Sequence, residues 1–142
     1  MEKKIRYTLG KEERLKSRKT IDHLFKEGKS FSIFPFRILH ILEVRQPLPD
    51  NGLINASHNL QAGFTVSSRN FKKAVDRNRI RRLMREAWRL QKNELELLLE
   101  SNNSKLVLFF IYIGKELPEY RLVYEKITAV LKKLNKIAGE RG

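Results

Sequence analysis

The chain has 142 residues, of which 41% are hydrophobic, so it suits a single domain with a core of moderate size. Its 30 Lys and Arg residues against 16 Asp and Glu give a formal net charge of +14 and a pI of about 10.2. This charge predicts a polyanionic partner, either nucleic acid or an anionic membrane surface. The chain has no cysteine, which excludes disulfides, thiol nucleophiles and cysteine-ligated zinc.

The charge pattern predicts one domain between two short tails. Residues 1–13 are charged and predict a flexible basic arm, residues 14–136 a single domain, and residues 137–142 a frayed tail. The longest apolar run, Leu106 to Ile113, is too short to span a bilayer, and the first residues lack the apolar core of a signal peptide. We therefore expect a cytoplasmic protein without a membrane partner.

The first predicted element is a short helix. Ser17 is a suitable N-cap, and Gly28 is a suitable residue just beyond the C-terminal end. Ile21, Leu24 and Phe25 fall at i, i+3 and i+4, so they share one face of this helix.

Two strands are predicted to follow. Phe36–Val44 is rich in β-branched and aromatic residues, with Pro35 at its start, where a missing N–H is tolerated. Residues 62–67 form the second strand, and the Pro, Asn, Gly and Ser residues of 47–59 predict a loop between the two. We expect these two strands to pair antiparallel across the loop.

The C-terminal half adds a buried strand and an amphipathic helix. Residues 105–112 are almost continuously apolar, which predicts a central strand covered on both faces. Pro118 precedes a helix with one apolar stripe, formed by Val123, Ile127, Val130, Leu131 and Leu134. The order is helix, two or three strands, long helix, strand and helix. We predict an α+β two-layer sandwich of order αβββαβα, with a mixed sheet of about four strands.

The strongest helical signal, over residues 72–99, carries a basic face. At the helical period, Ile80 and Trp88 share the core-facing arc with Leu83, Met84, Ala87, Leu90, Leu95 and Leu98. The opposite face stacks Asn78, Arg82, Arg85 and Arg89, with Arg81 and Lys92 on one flank and Arg79 and Glu86 on the other.

A solvated charged face is the plain alternative for such a helix. Ordinary exposed faces mix signs so that i, i+4 pairs attract, whereas Arg81–Arg85 and Arg85–Arg89 are like pairs at that spacing. Arginine is also the cation whose planar fork grips phosphate oxygens in a bidentate manner. The pattern favours polyanion binding over simple solvation.

No catalytic constellation is recognisable, so we predict no catalytic and no metal-binding residues. His23, His40 and His58 stand alone, without metal-ligand spacing. The acids Glu94, Glu96 and Glu100 could chelate metal, but a solvated role is favoured. Other classes of protein are alternatives. A structural RNA binder would have the same charge. A DNA-binding repressor would have two helices joined by a short turn, and a nuclease that acts alone would have paired carboxylates.

The basic helix resembles a known signature. Ala74-Val-Asp-Arg-Asn-Arg-Ile-Arg-Arg-Leu-Met-Arg-Glu-Ala87 is similar to the "RNR" motif of the bacterial ribonuclease P protein family. Arg14-Leu with Ile21, Leu24, Phe25 and Gly28 resembles that family's first helix, and Gly63-Phe-Thr-Val-Ser67 resembles the strand leading to the motif. The resemblance covers residues 14–136 and implies an atypical left-handed crossover between two parallel strands.

The resemblance implies a non-catalytic protein in a ribonucleoprotein that removes the 5′ leader of precursor tRNA. Its partners would be the ribonuclease P RNA and precursor tRNA, with no obligate protein partner, and Mg²⁺ would be bound mainly by the RNA. The signature helix would contact the RNA subunit through Arg77, Asn78, Arg79, Arg81, Arg82, Arg85 and Arg89.

The resemblance also implies a cleft for the single-stranded leader, between the first helix and one face of the sheet. Ile21 and Phe25 would line it from the helix. Either Phe36, Ile38 and His40 or Arg37 and Leu39 would line it from the strand. Of these we assign Phe36 and Ile38, together with Arg69, Lys72 and Lys73 from the segment before the basic helix.

Overall fold

A computed structural model describes residues 18–44 and 59–141. The predicted arm 1–13, the N-cap Ser17, His58 and almost all of the loop 47–59 lie outside the described residues. The helices are α1 (Arg18–Glu27), α2 (Ala74–Gln91), α3 (Asn93–Ser101) and α4 (Tyr120–Arg141), and the strands are β1 (Lys29–Ile33), β2 (Phe36–Val44), β3 (Leu60–Val66) and β4 (Ser104–Tyr112).

The four strands form one mixed sheet in the order β1-β2-β4-β3. β2 pairs antiparallel with both β1 and β4, whereas β3 pairs parallel with β4. The predicted antiparallel pairing of β2 with β3 is therefore wrong, because β4 lies between them. The apolar run of β4 explains this strand order, because a strand with apolar side chains on both faces is most stable at the centre of a covered sheet.

The sheet is covered on both faces, in agreement with the predicted α+β sandwich. The larger core lies between one face and the helices α2, α3 and α4, and includes Ile80, Trp88, Leu108 and Phe110. On the other face, α1 packs against β2 and β4 and buries Leu24. Residues of one strand alternate between these faces. The parallel strands β3 and β4 are joined through α2 and α3, and the handedness of that crossover stays a prediction.

The helical segment predicted over residues 72–99 is present, but it is interrupted at Lys92. α2 ends at Gln91 and α3 begins at Asn93, and Leu95 and Leu99 of α3 are fully buried. Lys92, expected beside the exposed basic face, is only 1% exposed. Its ammonium pairs with Glu96, which is the kind of partner that a buried charge needs.

The last helix has the predicted stripe facing the core. Val123, Ile127, Val130 and Leu134 are fully buried. α4 continues to Arg141 and also buries Ala138, so most of the segment 137–142 belongs to this helix. The boundaries of the predicted tails and domain stay predictions.

Candidate nucleic-acid interface

The outer face of α2 carries a stripe of guanidinium groups, as the helical period predicted. The opposite side of the helix is locked into the core by Ile80, Met84, Ala87 and Trp88, all at most 1% exposed. We call the outer residues the arginine face: Asn78, Arg79, Arg82 and Arg85 are exposed, and Arg81 and Arg89 are half-buried. Because the inner side is buried, the stripe is fixed in orientation toward solvent.

Two members of the arginine face are held by neighbours on the same helix. Nη2 of Arg81 donates to Oδ1 of Asn78, and Arg89 donates through Nε and Nη2 to the carboxylate of Glu86, with an Nε to Oε2 distance of 3.2 Å. The hydrogen bond from Arg89 lowers the pKa of Glu86 and raises that of Arg89. Glu86 therefore offsets the charge of Arg89. Within the described segments, Arg79 and Arg82 form no ion pair, so no carboxylate offsets their charges.

Arg77, also predicted to contact RNA, has a structural role in the segment before α2. Its Nη1 donates to the carbonyl oxygens of Phe71 and Lys72, each at 2.8 Å. The ring of Phe71 is buried and lies 5.9 Å from that of Tyr112. Side-chain to main-chain bonds of this kind fix a loop that has no regular structure of its own. The sequence pattern did not predict this role, because the carbonyl acceptors are set by tertiary structure.

The segment that Arg77 holds presents further cations. Asn70 donates through Nδ2 to the carbonyl of Gly114 at 3.3 Å, which ties the segment to the end of β4. Arg69, Lys72 and Lys73, predicted to contact the leader, are all exposed here. The segment connects the end of β3, in the sheet, to the start of α2, in the helical layer.

A second surface lies on the α1 side of the sheet. Leu24 anchors α1 against Leu39 and Val107, while Ile21 is half-buried beside them. The ring of Phe25 is 57% exposed and meets that of Phe109 edge-on, with the centroids 5.9 Å apart. Phe25 is therefore a surface aromatic residue and not part of the core.

The strand register extends this surface along the sheet. Arg37 of β2 pairs with Ile111 of β4, which pairs in turn with Thr65 of β3. These three residues share the face that carries Leu39 and Phe109, because all lie at alternate positions. We define the α1 cleft as the surface formed by Phe25, Phe109, Ile111, Thr65 and Arg37.

The assignment of Phe36 and Ile38 to this cleft is wrong. Both are 0% exposed and belong to the larger core on the opposite face, where the ring of Phe36 packs against Phe110 and Tyr112. His40 shares that face and is 5% exposed. The other open alternative, Arg37 and Leu39, is the one on the α1 side.

Sequence reasoning also missed Phe109 and Ile111. Both lie in the apolar run of β4, where nothing distinguishes the residues that point to either face. The pairing of Phe109 with Leu39 would have revealed their position, but it requires knowing that β2 and β4 are neighbours.

The described residues offer no metal centre. No group of three or more His, Asp and Glu side chains within 18–44 and 59–141 could hold an ion. Glu94 and Glu100 are exposed, and Glu96 pairs with Lys92. Among the described helices, none is long and apolar enough to cross a membrane.

Comparisons with known proteins agree on one family. The ribonuclease P family model matches residues 9–137. The ribonuclease P protein component of Porphyromonas gingivalis strain W83 is 33% identical over 133 residues, covering 94% of this chain and 88% of that protein. That of Chlorobium phaeobacteroides is 30% identical and covers 87% and 86% of the two chains. The fold is similar to the Staphylococcus aureus RNase P protein, with a TM-score of 0.58, 18% identity, and 84% of this chain and 93% of that one covered.

The α+β fold and the comparisons together identify a basic RNA-binding protein of a ribonucleoprotein. The chain belongs to the ribonuclease P protein family. It is accordingly a protein component of the ribonuclease P holoenzyme, the endoribonuclease that matures the 5′ end of tRNA.

Proposed function

We propose that this protein binds the ribonuclease P RNA through the arginine face and the 5′ leader of precursor tRNA through the α1 cleft. The RNA subunit and Mg²⁺ carry out the hydrolysis, and the protein supplies cations and affinity for the leader. The observation that carries the proposal is the solvent-facing stripe of Arg79, Arg82 and Arg85 on a helix whose other side is fully buried.

The charge arrangement of α2 supports the first contact. Arg81 and Arg85, four positions apart, repel each other by a few tenths of a kcal/mol when no anion is present. Glu86, the acid beside them, is engaged with Arg89. A phosphate backbone relieves this repulsion, and guanidinium groups bind its oxygens in pairs.

The aromatic side chains of the α1 cleft support the second contact. Unstacked bases of single-stranded RNA bind by stacking on exposed rings, and Phe25 offers such a ring beside Phe109. Arg37 is exposed on the same face and can pair with the leader backbone. The cleft and the arginine face lie on opposite layers of the sandwich, so both RNAs can be bound together.

Mg²⁺ is placed on the RNA in this proposal. Two-metal hydrolysis of a phosphodiester requires clustered carboxylates when a protein holds the ions, and the described part of the chain has no such cluster. The side chains of residues 18–44 and 59–141 therefore do not fit a catalytic Mg²⁺ site. The cations of the protein instead reduce the electrostatic repulsion between the RNA strands.

The arginine face is tested by Arg82→Ala and Arg85→Ala. Each variant is expected to weaken binding to the RNA subunit and to reduce the magnitude of the log–log salt slope by about 1, because one phosphate contact is lost. Stability should change by no more than about 0.5 kcal/mol, since both side chains are exposed. Filter binding over a salt series, with thermal unfolding measured in parallel, provides both quantities.

Arg121→Ala is the matched control, because Arg121 is an exposed arginine that belongs to α4 and not to the stripe on α2. It should leave the salt slope near that of the parent protein. If all three variants gave the same slope as the parent, the arginine face would be an ordinary solvated surface and the proposed RNA contact would be wrong.

A further inference from the structure

A separate cavity of about 580 Å³ lies where β1 begins. Its wall is formed by Phe31 and His40 of the sheet and by Lys133 of α4, and Lys29 and Glu27 stand at its rim. This volume is within the range of about 300–1,000 Å³ that is typical of small-ligand sites. No residue of the arginine face or of the α1 cleft, as defined above, lines it.

Positive charge converges on this cavity. Burial lowers the pKa of His40, and the charges of Lys29 and Lys133 lower it further. The ammonium of Lys133 lies 4.6 Å from the centroid of the Phe31 ring, which holds it over the cavity wall. Glu27 lines the same cavity, yet within the described residues it forms no ion pair with either lysine.

The backbone adds polar groups at the same place. Among the described strands β1 is at the edge of the sheet, so its outer side presents N–H and C=O groups that none of these strands pairs. Ser30, exposed on β1, also lines the cavity. The cavity thus holds two ammonium groups, an imidazole and a hydroxyl as donors, against the single carboxylate of Glu27.

We propose that this cavity binds a phosphate group of an RNA strand between Lys29 and Lys133, with the imidazole of His40 as a further donor. The proposal adds a third RNA contact to the proposed function and rests on its premise that the protein binds RNA. The strand belongs either to the RNA subunit or to precursor tRNA, and both offer the same phosphodiester chemistry.

The test is the double variant Lys29→Gln/Lys133→Gln in the reconstituted complex. Its matched control is Lys132→Gln/Lys136→Gln, which removes the same charge from two exposed lysines of α4 that do not line the cavity. Salt slopes are measured in one arm for binding of the RNA subunit, and in the other for binding of precursor tRNA to the assembled complex. We expect the cavity variant alone to reduce the magnitude of one slope by about 1.

A measurement on the unaltered protein complements the variants. Inorganic phosphate added at constant ionic strength should raise the pKa of His40, read from its imidazole NMR signals, because the anion offsets the two lysines and accepts a hydrogen bond from the charged ring. Chloride should have no such effect, since it lacks the tetrahedral oxygens that reach several donors. His23, on the exposed side of α1, is the internal control.

A lower slope for binding of the RNA subunit would assign the phosphate to that RNA, and a lower slope for binding of precursor tRNA would assign it to precursor tRNA. Equal slopes for the cavity and control variants in both arms, with a His40 titration that phosphate does not change, would overturn the proposal. That failure is distinct from failure of the arginine face, because Arg82→Ala would still reduce the slope for the RNA subunit.

Discussion

Replacing Phe36 by alanine is expected to lower the free energy of unfolding by about 3–5 kcal/mol. The Phe36 side chain is 0% exposed and meets the rings of Phe110 and Tyr112 edge-on, so its removal leaves a cavity in the larger core. Domains of this size are stable by about 5–15 kcal/mol, so the loss is a large fraction of the total. Urea unfolding followed by circular dichroism measures it.

Phe34→Ala provides the control two residues away. Phe34 lies at the turn between β1 and β2 and is 69% exposed, so its truncation should change stability by no more than about 0.5 kcal/mol. If the Phe36→Ala protein kept its full stability but bound precursor tRNA weakly, Phe36 would be a leader contact, and this would contradict its burial.

Replacing Phe25 by alanine is expected to weaken binding of precursor tRNA to the assembled complex by about fivefold to a hundredfold. This range corresponds to about 1–3 kcal/mol for one base stacked on an aromatic ring. Binding of mature tRNA should not change, because mature tRNA has no leader to stack on the ring. Stability should fall by only about 0.5–1.5 kcal/mol from the loss of the contact with Phe109.

Phe25→Tyr distinguishes stacking from other effects, since a tyrosine ring stacks as phenylalanine does and should retain the selective affinity for precursor. Equal weakening of precursor and mature tRNA by Phe25→Ala would place the defect in assembly. A large fall in melting temperature without selective loss for precursor would assign Phe25 to packing, in conflict with its exposure.

The parts of the fold that follow from local pattern were predictable from sequence. The helical period of residues 74–91 separated Ile80 and Trp88 from Arg82 and Arg85, and the structure has the same separation. The continuous apolar run identified β4 as the central strand. In each case the residues of one helix or strand were sufficient for the prediction.

The errors arose where the answer depends on a neighbouring element. β2 has both apolar and polar residues on each face, so its alternation could not decide whether Phe36 and Ile38 or Arg37 and Leu39 face α1. Strand order decides it, because α1 lies over the pair β2 and β4.

The break at Lys92 was hidden for a related reason. Residues on both sides of it have strong helix propensity, and the burial of Leu95 and Leu99 depends on packing against neighbouring elements such as α4. The roles of Arg77 at the carbonyls of Phe71 and Lys72, and of Lys133 over Phe31, likewise depend on contacts that a single segment does not encode.

The central proposal is that the protein assists an RNA catalyst. The most direct measurement is cleavage of precursor tRNA over a Mg²⁺ series by a bacterial ribonuclease P RNA, with and without this protein, alongside the protein alone. The account predicts that the protein lowers the Mg²⁺ concentration needed by the RNA, because its cations screen RNA–RNA repulsion, and that protein freed of RNA cleaves nothing. Metal-dependent cleavage by the RNA-free protein, or an RNA reaction whose Mg²⁺ requirement the protein leaves unchanged, would contradict it.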